Sequence, residues 1–367
     1  MARAAVLHGC KERLRIEDVD VAPPGPYEVE VRLAASGVCH SDLLAVEGKT
    51  PVPTPIVLGH EAAGVVARVG DGVTRVAPGD HVILSAVPQC GTCWWCTRGE
   101  AHLCGTSFGK MGHGGQLDGT SRFRNERGTV YQYGFAGTFI ETTVAPEASV
   151  VKIPEPTSMV AAALIGCAVT TGIGAARRTA EIAPGDSVAV LGCGGVGLNV
   201  VQGAKLCGAD PIIAVDIRAP KLDLARRLGA TDGVDARTGD PVEKVHARTG
   251  GRGADVTFEL TGLAEQVDVA LRMTRPGGQL VIVAIADPEA VLPVRQLAST
   301  GRIIRGCRYG STDAGADFPR LLAEYEQGLI DIDALVSQRI DLTDVNDAFE
   351  QMKAGEVTRS VIVYPSP

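Results

Sequence analysis

Aromatic side chains are scarce in this 367-residue chain, at 4% of the sequence, and long runs of one kind of residue are missing. No basic cluster occurs and the formal net charge is −8, which argues against a nucleic-acid or anionic-membrane partner. We find neither a secretory signal in MARAAVLHGC nor a stretch of about eighteen apolar residues. These absences predict a soluble, cytoplasmic protein with no nucleic acid and no membrane as partner.

Glycine and proline, by contrast, are plentiful, with 45 and 21 residues beside 45% hydrophobic side chains. They indicate many tight turns, and the chain is long enough for two domains that each bury a core. Ten cysteines are present, and four of them fall between Cys90 and Cys104. Because disulfides are rare in a reducing compartment, clustered thiols favour metal ligation or catalysis.

The order of the predicted elements divides the chain into a β-rich part and an α/β part. Apolar stretches at 29–39 and 61–70, and a turn that enters a strand at 77–84, give the first 150 or so residues a strand-and-turn character. From about Ala183 the strands SVAVLG, PIIAVDI, ADVTFEL and GQLVIVAIA alternate with helical segments, which is typical of a parallel sheet covered by helices. The helices and last strand after about Arg308 are expected to return to the first part.

The stretch CGTCWWCTRGEAHLC contains four cysteines at zinc-ligand spacing. Two residues separate Cys90 from Cys93 and Cys93 from Cys96, and seven more precede Cys104. Two-residue spacing brings successive sulfurs to one side of a turn, within reach of a shared tetrahedral ion. Four thiolates leave no open coordination position, so we expect a structural zinc site whose charge is partly offset by Arg98.

The stretch VAVLGCGGVG predicts a dinucleotide-binding loop. Gly192, Gly194 and Gly197 are spaced as G-x-G-x-x-G between an apolar strand and a helix that begins near Val196, and Asp216 ends the next strand. The glycines let the backbone approach a pyrophosphate, and the helix start directs unpaired N–H groups at it. Because Asp216 can bind the ribose hydroxyls and would repel a 2′-phosphate, NAD is favoured over NADP.

Two cations near Asp216 leave this choice of cofactor open. Arg218, two residues further on, could soften the preference for NAD, and Lys221 could reach the ribose. Each of the two residues is equally well explained as a solvent-exposed charge at the start of a helix.

A catalytic zinc requires three protein ligands and one open position, and the ligands can come from distant segments. Candidates are Cys39 in GVCHSD, His60 in GHEAAG and Cys167 in IGCAVTTG. Taken singly, each has an ordinary alternative, because buried cysteines and hydrogen-bonded core histidines are common. Their presence beside a zinc-type cysteine cluster and a dinucleotide loop strengthens the metal interpretation.

The motifs GVCHSD, GHEAAGVV, QCGTCWWC, IGCAVTTGIG, VLGCGGVGLNVV and IIAVDI resemble those of the zinc-dependent medium-chain alcohol dehydrogenases, in order and approximate separation. The resemblance covers essentially the whole chain. It implies an α/β fold with a GroES-like β-rich catalytic domain plus a Rossmann doubly wound parallel-sheet domain. The expected bounds are 1–168 and 309–367 for the catalytic domain with both zinc sites, and 169–308 for the Rossmann NAD-binding domain.

The resemblance also implies roles for individual residues. Cys39, His60 and Cys167 would hold the catalytic zinc, while Asp42 orients His60 and Glu61 lies behind the ion. The structural zinc would bind Cys90, Cys93, Cys96 and Cys104, giving two zinc ions per chain.

Further roles concern the substrate and the cofactor. Ser41 would bond to the substrate oxygen, His40 would approach the pyrophosphate, and Arg359 would reach the cofactor phosphates. The residues expected at NAD are His40, Gly192, Gly194, Gly195, Val196, Gly197, Asp216, Ile217, Lys221 and Arg359.

Some positions distinguish this chain within the family. Leu44 stands where several members carry a histidine that ends a proton relay, so the end of the relay is unassigned. Ala86 replaces an aromatic that often narrows the substrate channel, which predicts a substrate larger than ethanol. The stretch LDGTSRF, in the long segment between Cys104 and Val144, is similar to the animal- and plant-type members, which tend to be dimers rather than tetramers. We therefore expect a homodimer.

Together these features predict an NAD-dependent zinc alcohol dehydrogenase. Two thiolates and a neutral imidazole would cancel the charge of Zn²⁺ and leave a Lewis-acidic centre for the alcohol oxygen, while Ser41 accepts the proton and the nicotinamide takes the hydride. The alternatives are a dehydrogenase of a formaldehyde adduct with glutathione or mycothiol, and an NADPH-linked aldehyde reductase of a biosynthetic pathway. A non-enzymatic dinucleotide-binding protein is disfavoured because no catalytic ligand is lost.

Overall fold

The computed structural model describes residues 1–155, 157–285 and 290–365. The chain forms two compact units. Unit 1 comprises Met1–Cys167, Asp313–Glu326 and Leu335–Pro367, and unit 2 comprises Ala168–Thr312 and Gln327–Ala334.

The strands of the described residues are β1 (Ala2–Leu7), β2 (Arg15–Val21), β3 (Glu28–Gly37), β4 (Ile56–Val57), β5 (Ala62–Val69), β6 (His81–Leu84), β7 (Phe123–Asn125), β8 (Gly128–Gln132), β9 (Thr142–Pro146), β10 (Val150–Lys152), β11 (Val188–Leu191), β12 (Ile212–Asp216), β13 (Asp232–Asp235), β14 (Ala254–Glu259), β15 (Thr274–Ile282), β16 (Ile303–Gly306), β17 (Val336–Ile340) and β18 (Arg359–Val363). The α-helices are α1 (His40–Val46), α2 (Met159–Leu164), α3 (Thr170–Gly174), α4 (Gly195–Leu206), α5 (Ala219–Leu228), α6 (Pro241–Arg248), α7 (Ala264–Met273), α8 (Val294–Thr300), α9 (Ala314–Glu326) and α10 (Val345–Lys353).

Unit 1 is built from two β-structures. A small closed barrel has the strand order β1-β2-β7-β8-β4, and a seven-stranded sheet has the order β10-β6-β5-β3-β18-β17, with β9 also paired to β3. Strand β3 is central, and most of its apolar side chains are buried. Its end at Gly37 lies opposite Val361 of β18, so the last part of the chain completes this sheet. The last residues of β3 pair with the first residues of β5. Cys39 follows β3 and His60 precedes β5, so these two residues lie close to each other.

Unit 2 contains a six-stranded sheet with the order β13-β12-β11-β14-β15-β16. All its strand pairs are parallel. Strand β11 is buried at every position, as expected where both faces of a parallel sheet are covered. The sheet that the sequence alternation predicted is therefore present.

The segment Gln327–Ala334 belongs to unit 2, whereas the family resemblance places it in the catalytic domain. Gln202 of α4 explains this placement. Its side chain accepts a hydrogen bond from the backbone N–H of Asp331 at 2.7 Å and donates one to the Asp331 carbonyl at 3.4 Å.

The helical run Met159–Thr179 is long and apolar enough, by length and composition, to cross a membrane. The expectation that the chain lacks such a stretch is therefore wrong. However, 78% of its most apolar 18-residue window is buried inside the structure, which is the pattern of a core helix. Its small residues serve close packing, because a Cβ on Gly172 would lie 2.4 Å from the carbonyl oxygen of Val196.

Candidate active site

Cys39, His60 and Cys167 come together in unit 1 from three separate segments. Their ligand atoms all lie within 4.8 Å of one another, and Cys39 and His60 are buried. Cys39 caps the start of α1, and His60 precedes β5. Cys167 lies in a wide π-type turn, Ile165–Val169, of a kind that often occurs at functional sites. The three residues that the sequence proposed as ligands of one metal are thus neighbours.

Asp42 fixes the geometry of this group. Its carboxylate is fully buried and accepts hydrogen bonds from the backbone N–H of Cys39 at 3.1 Å and of Gly59 at 3.0 Å. The same carboxylate is 3.0 Å from Nδ1 of His60. Because a carboxylate can only accept, Nδ1 carries the proton and Nε2 faces Cys167 Sγ at 3.5 Å. The imidazole is therefore held in the orientation that a metal ligand needs.

The charges around the group favour a cation. A hydrogen bond with Cys167 holds the pKa of Cys39 well below its ordinary value, against the effect of burial. Burial disfavours the imidazolium, but the charges of Asp42 and Cys39 raise the pKa of His60 to about 10. A divalent metal would supply the positive charge that the proton on Nε2 otherwise provides. Two thiolates and one imidazole are also a known set of catalytic zinc ligands, so the residues fit the ion.

A buried ion pair lies beside the group. Glu61 is fully buried and pairs with the guanidinium of Arg359, which is also buried. The charge of Arg359 helps to lower the pKa of Cys39. The resemblance places Glu61 behind the zinc and Arg359 at the cofactor phosphates, and the structure joins these two side chains to each other.

Ser41 lies at the edge of the same group. Its hydroxyl is 3.3 Å from Cys39 Sγ and 3.2 Å from Nε2 of His60. Leu44 and Ala86 are both buried apolar residues of unit 1. Because Leu44 is apolar, it cannot accept a proton. The histidine that ends the proton relay in several family members therefore has no equivalent at this position.

Tyr133 is a site residue that the sequence reasoning missed. Its ring meets the imidazole of His60 edge to face, with the ring centroids 5.7 Å apart. Its side chain is buried, and this burial raises the pKa of its phenol above the ordinary value. The only sequence signal was a tyrosine next to a glycine in VYQYGF, which is too common a pattern to indicate a site.

The four-cysteine segment forms a second, separate group. All four sulfurs lie within 4.8 Å of one another, and the pairs Cys90–Cys96 and Cys93–Cys104 are each 4.0 Å apart. Sulfurs bound tetrahedrally to zinc at about 2.3 Å lie about 3.8 Å from one another, so the spacing suits the ion. The same distances are far too long for disulfides.

Backbone N–H and hydroxyl groups donate hydrogen bonds that stabilise negative charge on sulfurs of this segment. The N–H of Cys93 donates to Cys90 Sγ at 3.3 Å. Burial raises the pKa of Cys90, but hydrogen bonds from Thr106, Thr92 and the backbone of Cys93 lower it to about 5. Burial raises the pKa of Cys96 to about 12. Arg98, expected to offset the charge, lies over the ring of Trp94 at 4.2 Å.

The glycine-rich loop of unit 2 is packed as closely as a phosphate-binding loop requires. Gly192 has a φ of 99°, a conformation that favours glycine. A Cβ on Gly197 would lie 2.0 Å from the carbonyl oxygen of Gly192, so no side chain fits there. Gly194 caps α4, whose first residues are Gly195, Val196 and Gly197. The N–H groups at this helix start are thus available to an anion.

Asp216 ends β12 beside this loop. Its carboxylate accepts hydrogen bonds from the backbone N–H of Cys193 at 2.8 Å and of Arg218 at 2.9 Å. Ile217 follows it and is exposed, and Lys221 lies on α5. His40, the other residue expected at the cofactor, is the exposed first residue of α1 in unit 1.

Both halves of the chain match known protein families. Residues 25–155 match the alcohol dehydrogenase GroES-like domain, and residues 195–327 match the zinc-binding dehydrogenases. Curated relatives include proteins named S-(hydroxymethyl)glutathione dehydrogenase from Shigella sonnei and from Synechocystis sp. Each is 41% identical to this chain and covers 99% of it and 100% of its own length.

Solved structures agree with these matches. Benzyl alcohol dehydrogenase from Acinetobacter calcoaceticus has a TM-score of 0.93 at 31% identity, over 99% of both chains. The alcohol dehydrogenase from the archaeon Aeropyrum pernix has a TM-score of 0.83 at 32% identity, over 99% of this chain and 100% of that one. A protein described as NAD-dependent alcohol dehydrogenase has a TM-score of 0.81 at 30% identity, over 99% of this chain and 100% of that one.

The resemblance, the GroES-like plus Rossmann fold class and the expected zinc- and NAD-linked oxidoreductase chemistry are confirmed at the level of the family. The chain belongs to the zinc-dependent medium-chain alcohol dehydrogenase family.

Proposed function

We propose that this chain exchanges a hydride between NAD(H) and an alcohol or aldehyde larger than ethanol. The observation that carries the proposal is the meeting of Cys39, His60 and Cys167 around a common centre, with His60 oriented by Asp42. A zinc ion held by these three residues would supply Lewis acidity, which favours the ionised form of an alcohol.

The chain's own residues then have distinct tasks. Asp42 keeps the proton of His60 on Nδ1, so that Nε2 is free to bind the metal. Ser41, next to Cys39 Sγ and His60 Nε2, would bond to the alcohol oxygen and relay its proton, releasing its own hydroxyl proton to a cofactor ribose hydroxyl or to water. Glu61 would lie behind the metal, and its charge is balanced by Arg359. The second zinc would be structural and bind Cys90, Cys93, Cys96 and Cys104.

We propose NAD as the cofactor because the carboxylate of Asp216 is positioned beside the glycine loop. A ribose with free hydroxyls can donate to this carboxylate, whereas a 2′-phosphate would be repelled. Arg359 Nε has no hydrogen-bond partner among the described residues and is available to a phosphate. The proposed cofactor residues are His40, Gly192, Gly194, Gly195, Val196, Gly197, Asp216, Ile217, Lys221 and Arg359.

The cofactor proposal is tested with Asp216→Gly. We expect the ratio of kcat/KM for NAD to that for NADP to fall by about 10- to 100-fold, because the repulsion of the 2′-phosphate is lost. Asp223→Gly, on the exposed part of α5, is the matched control and should leave the ratio unchanged. An unchanged ratio in the Asp216 variant would mean that the ribose is recognised elsewhere.

The substrate proposal rests on Ala86, whose small side chain would leave room in the channel. A panel of primary, allylic, aromatic and long-chain alcohols, followed by NADH absorbance, tests it together with the zinc content of the same sample. We expect two zinc ions per chain and a higher kcat/KM for the larger alcohols. A single zinc per chain, or no NADH from any alcohol, would contradict the proposal.

A second candidate is the oxidation of a formaldehyde–thiol adduct. It is favoured by the 41% identity to proteins named S-(hydroxymethyl)glutathione dehydrogenase. NADH formation that requires both formaldehyde and glutathione, or both formaldehyde and mycothiol, would identify this activity. An NADPH-linked aldehyde reductase would instead show a higher kcat/KM with NADPH than with NADH.

We further propose a catalytic domain formed by 1–168 and 309–367, a Rossmann domain formed by 169–308, and a cytoplasmic homodimer.

β16 lies at the edge of the sheet in unit 2, and its Ile303 is exposed together with Val291 and Val294. Apolar edge strands tend to pair with a second chain. Light scattering should give the mass of a dimer, and Ile303→Lys should shift it toward the monomer. No disulfide joins any of the ten cysteines, all of which lie in the described part of the chain, and this suits the reducing cytoplasm.

A further inference from the structure

We propose that Gln116 is a positioning residue for the reaction, and that it holds the turn Tyr133–Phe135 against His60 so that the imidazole keeps the orientation in which it binds the metal. The inference rests on the proposed function, because it adds a support to the same metal site. It assigns Gln116 no contact with the substrate or the cofactor. The side chain of Gln116 is buried, and the family resemblance gave it no role.

The first step is that one hydrogen bond does not fix the imidazole of His60. The carboxylate of Asp42 lies 3.0 Å from Nδ1, which leaves the ring able to pivot about that contact. The turn Tyr133–Phe135 supplies further contacts. The ring of Tyr133 meets the imidazole edge to face, with the centroids 5.7 Å apart, and a Cβ on Gly134 would lie 2.8 Å from Cβ of His60. The imidazole is therefore held by the carboxylate at one nitrogen and by this turn at the ring and at Cβ.

Backbone hydrogen bonds keep the turn in register with the residues that precede His60. The N–H of Thr138 donates to the carbonyl of Gly59 at 3.0 Å, and the N–H of Phe139 donates to that of Leu58 at 2.9 Å. A displacement of the turn would therefore move the backbone that carries His60 as well as the contacts on its side chain.

The turn has an unfavourable backbone and needs external support. Gly134 has a φ of 58° and Phe135 a φ of 65°, both in the left-handed region. A residue such as phenylalanine rarely adopts this conformation, and it persists there only where the surroundings fix it. The N–H groups of Ala136 and Gly137 both donate to the carbonyl of Tyr133, at 3.2 and 2.7 Å. The carbonyl of Phe135 is left for a partner outside the turn.

Gln116 is that partner. Its side-chain amide donates to the carbonyl of Phe135 at 2.9 Å and to that of Val144 at 2.7 Å. Because a carbonyl can only accept, the NH₂ group of Gln116 rather than its oxygen must face both of them. Val144 lies in β9, which pairs with β3. Gln116 thus ties the turn to the sheet whose strand β3 leads to Cys39.

The segment that carries Gln116 is itself anchored to β3. The backbone N–H of Arg122 donates to Oε1 of Gln132 at 2.7 Å, and the guanidinium of Arg122 pairs with Glu28 of β3 at 2.6 Å. The side-chain amide of Gln132 in turn donates to the carbonyl of Ala136 at 3.0 Å. The stretch LDGTSRF is therefore part of a scaffold for the metal site, a role that does not depend on the oligomeric state.

Release of the catalytic zinc tests the proposal. Gln116→Met keeps the length of the side chain and removes its donors. The side-chain oxygen of Gln116 has no hydrogen-bond partner among the described residues, so the variant also removes an unsatisfied acceptor and should fold. We expect the zinc-loaded variant to release its catalytic zinc to a chromogenic chelator about tenfold faster, as for the loss of a support behind a metal ligand, with the release of the structural zinc unchanged. The phase due to the catalytic zinc is identified by its absence in His60→Ala.

A spectrum reports the geometry of the ligands directly. With Co²⁺ in place of the catalytic zinc, the visible absorption band should shift in Gln116→Met, because the imidazole leaves its orientation. Gly134→Ala should shift the same band, since the added Cβ would displace His60.

Matched controls separate positioning from a general loss of stability. Gln202→Met makes the same change at a buried glutamine of unit 2, and Gly109→Ala makes the same change at a left-handed glycine with nothing within 4 Å of the added Cβ. Both should keep the release rate and the cobalt spectrum of the unmodified protein. An unchanged release rate in Gln116→Met, or an equal acceleration of both zinc phases, would overturn the inference. If Gln116→Met does not fold, Gln116→Asn, whose amide is one methylene shorter, is measured in the same way and judged by the same outcomes.

Metal binding also separates this inference from the proposed function. If Gln116→Met accelerates only the catalytic zinc phase but no alcohol yields NADH, the proposed function fails and the role of Gln116 stands. If alcohols are oxidised and the release rate is unchanged, the proposed function stands and the inference fails. If the unmodified protein holds no zinc at Cys39, His60 and Cys167, both are overturned.

Discussion

The two cysteine-containing groups of unit 1 differ in how the chain assembles them. Cys90, Cys93, Cys96 and Cys104 lie within one short segment and only Cys104 is buried, whereas Cys39, His60 and Cys167 come from three segments and are largely buried. The first group depends on local turns. The second depends on the ends of β3 and β5 and on the turn Ile165–Val169. Damage to the first group should therefore affect stability, and damage to the second should affect chemistry.

The groups also differ in the charges that surround them. The four sulfurs receive mainly backbone and hydroxyl hydrogen bonds, such as that from Thr92 to Cys90 at 3.7 Å. The three-ligand group has the buried carboxylate of Asp42 behind His60 and the ion pair of Glu61 with Arg359 beside it. A fully coordinated ion needs only to be held, whereas an open site needs its ligands oriented.

The sharpest test of this contrast removes a catalytic ligand. Cys39→Ser or His60→Ala should lower kcat/KM by at least about 1,000-fold, because the Lewis acid that stabilises the reacting oxygen is lost. The zinc content should fall from two to one per chain, while circular dichroism shows the fold kept. Cys10→Ser, at an exposed cysteine, is the control and should behave as the unmodified protein. Substantial activity in either ligand variant would refute the assignment.

A smaller effect is expected from Asp42→Asn. The amide cannot accept from Cys39, Gly59 and His60 as the carboxylate does, so the imidazole loses its fixed orientation. Zinc affinity at this site should fall by about 10- to 100-fold, measured by competition with a chelator. Asp71→Asn, at an exposed position, is the matched control. An unchanged affinity would show that the packing around His60 is sufficient to orient it.

The smallest effect on activity is expected from Cys93→Ser. The variant should lose about 3 kcal/mol of unfolding free energy and about 4 °C of Tm, since a structural metal contributes to folding. Its kcat/KM at low temperature should match that of the unmodified protein. Calorimetry and zinc analysis on the same sample provide the measurement. A large loss of activity in the folded state would mean that the two groups are coupled.

The same contrast explains what the sequence could reveal. The four-cysteine spacing and the glycine loop are local patterns, and each predicted its chemistry from a few adjacent residues. The main strands β3, β5, β11, β12, β14 and β15 also followed from apolar runs. Cys39, His60 and Cys167 were singly ambiguous, and only the family resemblance joined them. Their proximity depends on strand ends that no local pattern specifies.

Other features left no readable signal. The strand β13 has the sequence DGVD and lies at a sheet edge, so its polar residues resemble a turn. Tyr133 reaches His60 through a loop that is held by left-handed backbone and distant glutamines. The pairing of Glu61 with Arg359 joins two remote parts of the chain. The run Met159–Thr179 is apolar on average, but it contains Thr170, Thr171 and three glycines, so it does not stand out in the sequence as an unbroken apolar stretch.

The pairing of β18 with β3 has a consequence for synthesis of the protein. β3 emerges early from the ribosome, but its partner strand emerges only after every strand of unit 2 has been made. Unit 2 needs no later strand and can fold first. The counter-ion of Glu61 arrives on that last strand, so the thiol-rich first half of the chain stays structurally incomplete until its final segment has been made.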